Sequence, residues 1–257
     1  MTTQNDVSHS QRRRDFDRDG FVVVHQFLPA SELSELNSEL QRYIQQVVPT
    51  LPSTAAFFDT AGRPETLKQL QHMAHDSFFA AYRSHSRWLQ LATELLGEDC
   101  AAQEPEWFNK PPDTQHVTPP HQDNFYFCLR PPAVVTLWLA LDSIDTENGC
   151  LRYVAGSHKS GIRPHNPTKI LGFSQGITDY GDADRHKEVI IQLAPGDLLA
   201  HHGETIHRAD ANRSAARHRR AFAMVFRGVS CQRDEAAFAR YEAALKSQHQ
   251  QVAQQQQ

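Results

Sequence analysis

No stretch of the 257-residue chain is apolar for long enough to cross a bilayer; its longest apolar runs are strand length, against the roughly 20 residues a membrane helix needs. The polar N-terminus, MTTQNDVSHSQ, lacks the apolar segment of a signal peptide, so a cytoplasmic protein is expected. Cysteine is scarce. Cys100, Cys128, Cys150 and Cys231 contain no C-x-x-C pair, which argues against a structural zinc site or a disulfide framework and suits a reducing compartment. All four read as small buried hydrophobes. There is no excess of positive charge: the net charge of −4 gives no reason to expect nucleic acid as a partner. The basic run Arg12-Arg13-Arg14 is followed by Asp15, Asp17 and Asp19 and reads as a solvated face. No internal repeat is found.

What remains is an ordinary globular composition, 39% hydrophobic and 22% charged, enough for one large β-rich domain. Residues 1–14 are expected to be disordered, as is the Gln-rich tail 248–257, leaving 15–247 as a single domain. Gly20-Phe21-Val22-Val23-Val24 predicts a strand. Pro29-Ala30-Ser31 opens a helix with Ser31 as N-cap, and Leu33, Leu36, Leu40 and Ile44 at helical spacing carry it to about Val48. Residues 49–65 read as a loop, and further helices are predicted near 66–83 and 86–97, the second ending at Gly97. From about residue 100 short β-type runs alternate with turn residues: 101–109, 119–128, 133–141, 150–154, 188–193, 197–202, 205–209 and 219–228. Such a series predicts a sandwich or jelly roll, with the earlier helices packed on its outer face and a last helix over 234–247.

Chemistry concentrates at His121-Gln122-Asp123 and, much later, His207. Two imidazoles and a carboxylate are the ligand set of the 2-His-1-carboxylate triad, which covers one face of an octahedral Fe(II) and leaves the other open for co-substrate and O2. On a strand, positions i and i+2 share a face, so His121 and Asp123 can chelate together while Gln122 points away. H-x-D alone is weak, because fifteen histidines and thirty acidic residues produce such pairs by chance. Pro119 and Pro120 hold the backbone before His121 extended. About a dozen residues past His207 stand Arg219 and Arg220. A 2-oxo dicarboxylic acid that chelates iron through its keto-acid end needs a cation for its far carboxylate, and the planar guanidinium fork suits that. Strand alternation puts Arg219, Ala221 and Ala223 on one face and Arg220 and Phe222 on the other, so one arginine points inward.

The ordered pattern N-K-P-P-D…H-Q-D, T-L-W, N-G-C-L…G-S-H-K, G-D…H…N-R-S…R-R-A, with the N-terminal F-x-x-x-G-F-V-V-V, resembles the phytanoyl-CoA dioxygenase (PhyH) family of Fe(II)/2-oxoglutarate oxygenases over about residues 15 to 230. The resemblance implies a mainly β fold with flanking helices, a double-stranded β-helix (a cupin-like jelly roll) with N-terminal helices packed on one sheet. It implies His121, Asp123 and His207 as iron ligands, and Arg219, with Arg220 as the alternative, as partner of the 2-oxoglutarate C5 carboxylate. Trp138 should wall the co-substrate pocket, and Lys68, on a predicted helix, resembles a family lysine that reaches the co-substrate. The chain departs from the family at Arg208-Ala209, where Gly-Ser often follows the last histidine, and at Glu106, where an apolar residue is usual.

The function implied is hydroxylation of a C–H bond of a small molecule, coupled to decarboxylation of 2-oxoglutarate to succinate and CO2 with Fe(II) and O2. The alternative keeps the site without turnover, as a metal- or 2-oxoglutarate-binding protein with a regulatory role. A zinc hydrolase would use the same three ligands but leave the trailing arginine idle. Residues 155–187 are long enough for a lid, and Lys159, Arg163, His165, Lys169 and Arg185 within it hint at an anionic substrate.

Overall fold

The computed structural model of the protein describes residues 4–243 except 53, 61, 171 and 172. Helix α1 (Gln4–Asp19), strand β1 (Phe21–Val24), helix α2 (Ala30–Arg42), strands β2 (Ala56–Phe58) and β3 (Leu67–Leu70), and helices α3 (Ser77–Ala81) and α4 (Ser86–Leu96) come first. Next are β4 (Cys100–Ala102), β5 (Glu106–Lys110), β6 (Thr118–His121), the single turn α5 (Asn124–Phe127), β7 (Leu129–Arg130), β8 (Val134–Ala140) and β9 (Leu151–Val154). Then come β10 (His165–Ile170), β11 (Phe173–Ile177), the turn α6 (Asp182–Arg185) and β12 (Glu188–Ile191). β13 (Leu198–His202), β14 (His207–Ala209), β15 (Arg219–Gly228) and β16 (Gln232–Arg233) complete the strands. Residues 235–243 are helical, and the remainder of the helix expected over 234–247, like the tail 248–257, lies outside the described residues.

The larger sheet runs β1-β13-β8-β15-β5-β3-β2, with β4 paired to the far half of β15, and the smaller runs β12-β9-β14-β6. Trp138, Ala140, Leu199, Ala221 and Ala223 of the first pack against Leu151, Tyr153, Ile191 and Ala209 of the second. This is the expected jelly roll. β8 reads V-V-T-L-W-L-A without polar alternation because all seven residues are buried: its other face, Val135, Leu137 and Leu139, lies under the helices. There Leu36 and Leu40 of α2 and Trp88, Leu91 and Leu95 of α4 meet Phe222, Met224 and Phe226 of β15. Trp88 meets Phe27, Tyr82 and Phe222 edge-on. α4 stops at Gly97, whose left-handed φ of 73° suits glycine and whose amide donates to Thr93 O at 2.8 Å.

The structure corrects four sequence expectations. Residues 4–14 are not disordered but lie in α1, where Arg12 pairs with Glu94 of α4 at 2.9 Å and Phe16 is buried beneath. No helix spans 66–83: Leu67–Leu70 is strand β3, paired with β2 and β5, and Lys68 is therefore a strand residue. Leu67 and Leu70, three apart, share a face on a helix but not on a strand, so the local pattern favours helix and the open edge of β5 overrides it. Within 49–65, read as a loop, β2 completes that edge. α2 begins at Ala30 without a side-chain cap, so Ser31 is its second residue and not its N-cap.

Replacing Trp88 with alanine removes the largest fully buried side chain beneath the helices. The expected cost is about 3–5 kcal/mol, read as a drop in the denaturation midpoint, with metal affinity unchanged because the residue lies outside the barrel.

Candidate metal centre

β6 carries Thr118-Pro119-Pro120-His121 and ends there. Asp123 does not lie on the strand as the i, i+2 reading required. Its φ of −59° and ψ of −38° are helical, and it leads into α5, whose Tyr126 amide donates to Asp123 O. The carboxylate nevertheless turns back toward His121, with Oδ1 3.6 Å from Nε2. Gln122 does point away. Its amide donates to Gly161 O (2.9 Å) and Glu204 O (2.7 Å) and accepts from Arg163 N (2.8 Å), fastening the start of the 155–187 segment to the strand end. That segment contains the β10–β11 hairpin and α6.

β14 pairs with β6 so that His207 is directly opposite His121, and with β9 so that it is opposite Tyr153. His207 Nε2 stands 3.5 Å from Asp123 Oδ1. His121 Nδ1 bonds Pro119 O at 2.8 Å and His207 Nδ1 bonds Thr205 O at 3.0 Å. Each contact makes Nδ1 the donor and aims the Nε2 lone pair inward, as metal ligation requires. The three ligand atoms lie within 4.8 Å of one another, and among the described residues no fourth His, Cys, Asp or Glu joins them. Burial pushes both imidazoles down, His207 well below the ordinary range, so both are neutral donors. Burial alone would raise the Asp123 carboxyl, but the donors around it, His201 Nε2 at 2.9 Å among them, hold it far below the usual range. Two neutral imidazoles and one carboxylate facing a common point fit a divalent, octahedral, borderline-hard ion.

Sequence reasoning passed over three neighbours of this cluster. Asp123 Oδ2 accepts from Thr136 Oγ1 at 2.7 Å and lies 2.9 Å from His201 Nε2, and His201 Nδ1 lies 3.0 Å from the Tyr153 hydroxyl. Alternation along β13 and β8 was the available signal: His201 follows inward Leu199, and Thr136 precedes inward Trp138.

The cluster opens into a cleft lined also by Lys68, Lys110, Trp138, Leu151, Ala209 and Arg219. Arg219, not Arg220, points inward. It is 5% exposed, its guanidinium lies 5.4 Å from the Trp138 ring centre, and its Nε is buried without a hydrogen-bond partner. Burial pushes it down to about 10. Among the described residues no carboxylate is within ion-pair distance of it, whereas Arg220 is held by Asp142 at 2.6 Å on the outer side. Lys110, opposite Arg219 on β5, donates to the carbonyls of His116 (3.0 Å), Ala209 (3.4 Å) and Asp210 (2.6 Å), and burial, then Arg219, pushes it down to about 6. Lys68 also lines the cleft but is paired with Asp59 at 3.1 Å. Arg208 turns outward to Glu188 and Asp210, leaving Ala209 with no hydroxyl to offer the cleft. Glu106 shares the inward face of β5 with Phe108, and burial, then the Asp123 carboxylate, pushes it up to about 7.

The family model for phytanoyl-CoA dioxygenase (PhyH) matches residues 16–221. The peroxisomal phytanoyl-CoA dioxygenase of Homo sapiens is 26% identical over 244 residues, covering 90% of this chain and 71% of that protein. EvdO2 from Micromonospora carbonacea var. aurantiaca, solved with 2-oxoglutarate, superposes with a TM-score of 0.68 at 25% identity, over 87% of this chain and 91% of its own. The epimerase SnoN, solved with Fe3+, alpha ketoglutarate and nogalamycin RO, superposes with a TM-score of 0.69 at 23% identity, over 88% and 85%.

Because Glu106 keeps its proton to higher pH in the fold than in the unfolded chain, metal-free protein is expected to lose stability as pH rises from about 4.5 to about 7. The Glu106→Gln variant lacks that contribution. Denaturation midpoints at pH 5 and pH 8 check this: wild type falls relative to the variant, and parallel curves contradict the assignment.

Proposed function

Starting from the phytanoyl-CoA dioxygenase (PhyH) family, to which this chain belongs, we propose that it hydroxylates a C–H bond of a small molecule, with Fe(II) and 2-oxoglutarate held in the cleft between the two sheets. The observation that carries the reading is Arg219: a buried guanidinium with no carboxylate partner among the described residues, in the same cleft as the His121, Asp123 and His207 cluster. An unpaired buried cation is costly unless a ligand completes it. A dicarboxylic keto acid does so, with one end at the cluster and the other on the arginine.

When bound, Fe(II) with 2-oxoglutarate and O2 supplies the oxidative chemistry, in which loss of CO2 from the keto acid, leaving succinate, is coupled to oxygen insertion. The residues do the rest. His121, Asp123 and His207 hold the ion, and the carbonyls of Pro119 and Thr205 keep the two rings turned toward it. Arg219 binds and orients the far carboxylate, with Trp138 stacked beside it. Lys110 is saturated by backbone carbonyls, so its part is to tie β5 to the end of β14 and not to make a direct contact. Lys68 would have to leave Asp59 to reach the co-substrate.

The arginines of 155–187 give an anionic substrate no support. Arg163 is paired with Asp179 and Asp184, and Arg185 with Asp182. Four free thiols support a reducing compartment such as the cytosol. No helix among the described residues is long and apolar enough to cross a membrane.

Two measurements test this reading. Succinate release from 2-oxoglutarate, dependent on Fe(II) and on one member of a metabolite panel, is expected, and turnover without 2-oxoglutarate would contradict it. Arg219→Ala should weaken 2-oxoglutarate binding about 10- to 100-fold, the loss of a charge-assisted pair. Arg220→Ala should leave it within about twofold, and equal effects would overturn the anchor.

A further inference from the structure

Asp123 has two oxygens in different surroundings. Oδ1 faces both imidazole Nε2 atoms, at 3.6 and 3.5 Å. Oδ2 is turned away from them and receives Thr136 Oγ1 at 2.7 Å and His201 Nε2 at 2.9 Å. A carboxylate only accepts, so Nε2 of His201 carries the proton in this contact, and Nδ1, 3.0 Å from the Tyr153 hydroxyl, accepts in turn. Tyr153 is fully buried. Its ring also stacks on His207, 5.3 Å between centres at 9°, and packs against Phe21 at 4.9 Å. One tyrosine on β9 thus sets the orientation of His201 by a hydrogen bond and of His207 by stacking.

We propose that Tyr153 and His201 form a positioning pair that commits Asp123 to ligation through one oxygen. The inference rests on the reading of His121, Asp123 and His207 as metal ligands. With Oδ2 occupied by two donors, the carboxylate offers the ion a single oxygen. The coordination position a chelating carboxylate would take stays available for the keto acid and O2. Thr136 alone supplies one donor, free to rotate. His201 is 2% exposed and held at both nitrogens, so its N–H cannot swing away. Both residues of the pair also line the cleft, and the role assigned to them is exerted through Asp123 and His207.

The test uses Mn(II) and Co(II) as probes on the purified full chain, with no turnover required. Wild type is expected to bind one Mn(II). His201→Phe, which fills the same space without a donor, should bind it about 10- to 100-fold more weakly and shift the visible ligand-field bands of the Co(II)-loaded protein. His201→Gln, whose amide N–H stands near the position of Nε2–H, should restore both. Tyr153→Phe keeps the stack on His207 and loses only the hydroxyl, so a drop of about 2- to 12-fold is expected. If His201→Phe does not fold, the tyrosine variant carries the same test. Variants with lowered melting temperatures but Mn(II) affinity and Co(II) bands like wild type would overturn the proposal, leaving the pair merely structural. Failure of wild type to bind Mn(II) at all would overturn the metal centre itself.

Discussion

Everything in this molecule that bears on chemistry depends on one register: β14 pairs with β6 so that His207 faces His121, and with β9 so that it also faces Tyr153. Strand side chains alternate, so a slip of one residue would send His207 to the other face and break the cluster. The register is held at several levels. Ala209 packs between the sheets, and Arg208 on the opposite face is tied to Glu188 of β12 and to Asp210. The interior contacts and the outer ion pairs specify the same alignment.

The barrel divides its two faces by side-chain size. On β15, Ala221 and Ala223 point inward while Phe222, Met224 and Phe226 point to the helices. Bulk outside supplies the hydrophobic stability, and small residues inside leave room for a cleft containing buried charge. The interior then gathers groups that are unfavourable singly: neutral imidazoles beside a carboxylate, an arginine without a counterion, and a lysine bound only by carbonyls. Such concentrations of perturbed groups mark functional sites, because their cost is offset when ligands complete them.

The sequence made the strand series, the helical layer and the end of α4 at Gly97 readable, since each depends on local periodicity and turn chemistry. Alternation from Arg219 to Phe222 showed that one arginine must point inward. Choosing between them required knowing which face of β15 meets the smaller sheet, a long-range fact. β3 was misread because Leu67 and Leu70, three apart, fit the helical period, and α1 because its burial comes from contacts with α4 and β13 that the polar sequence around Phe16 does not advertise. Asp123 was assigned to the cluster by the right pattern but the wrong local geometry. The strand stops at His121, and a helical turn delivers the carboxylate instead. His201, Thr136 and Tyr153 come from three separate strands, and no short motif links them to Asp123.

The most direct test of the central claim is anaerobic titration of the protein with Fe(II) in the presence of 2-oxoglutarate, followed by visible absorption. The account predicts a charge-transfer band that needs both components, saturates at one iron per chain and is lost in His207→Ala. Absence of the band in wild type, or its persistence without His207, would contradict the convergence of these three side chains on a single ferrous ion.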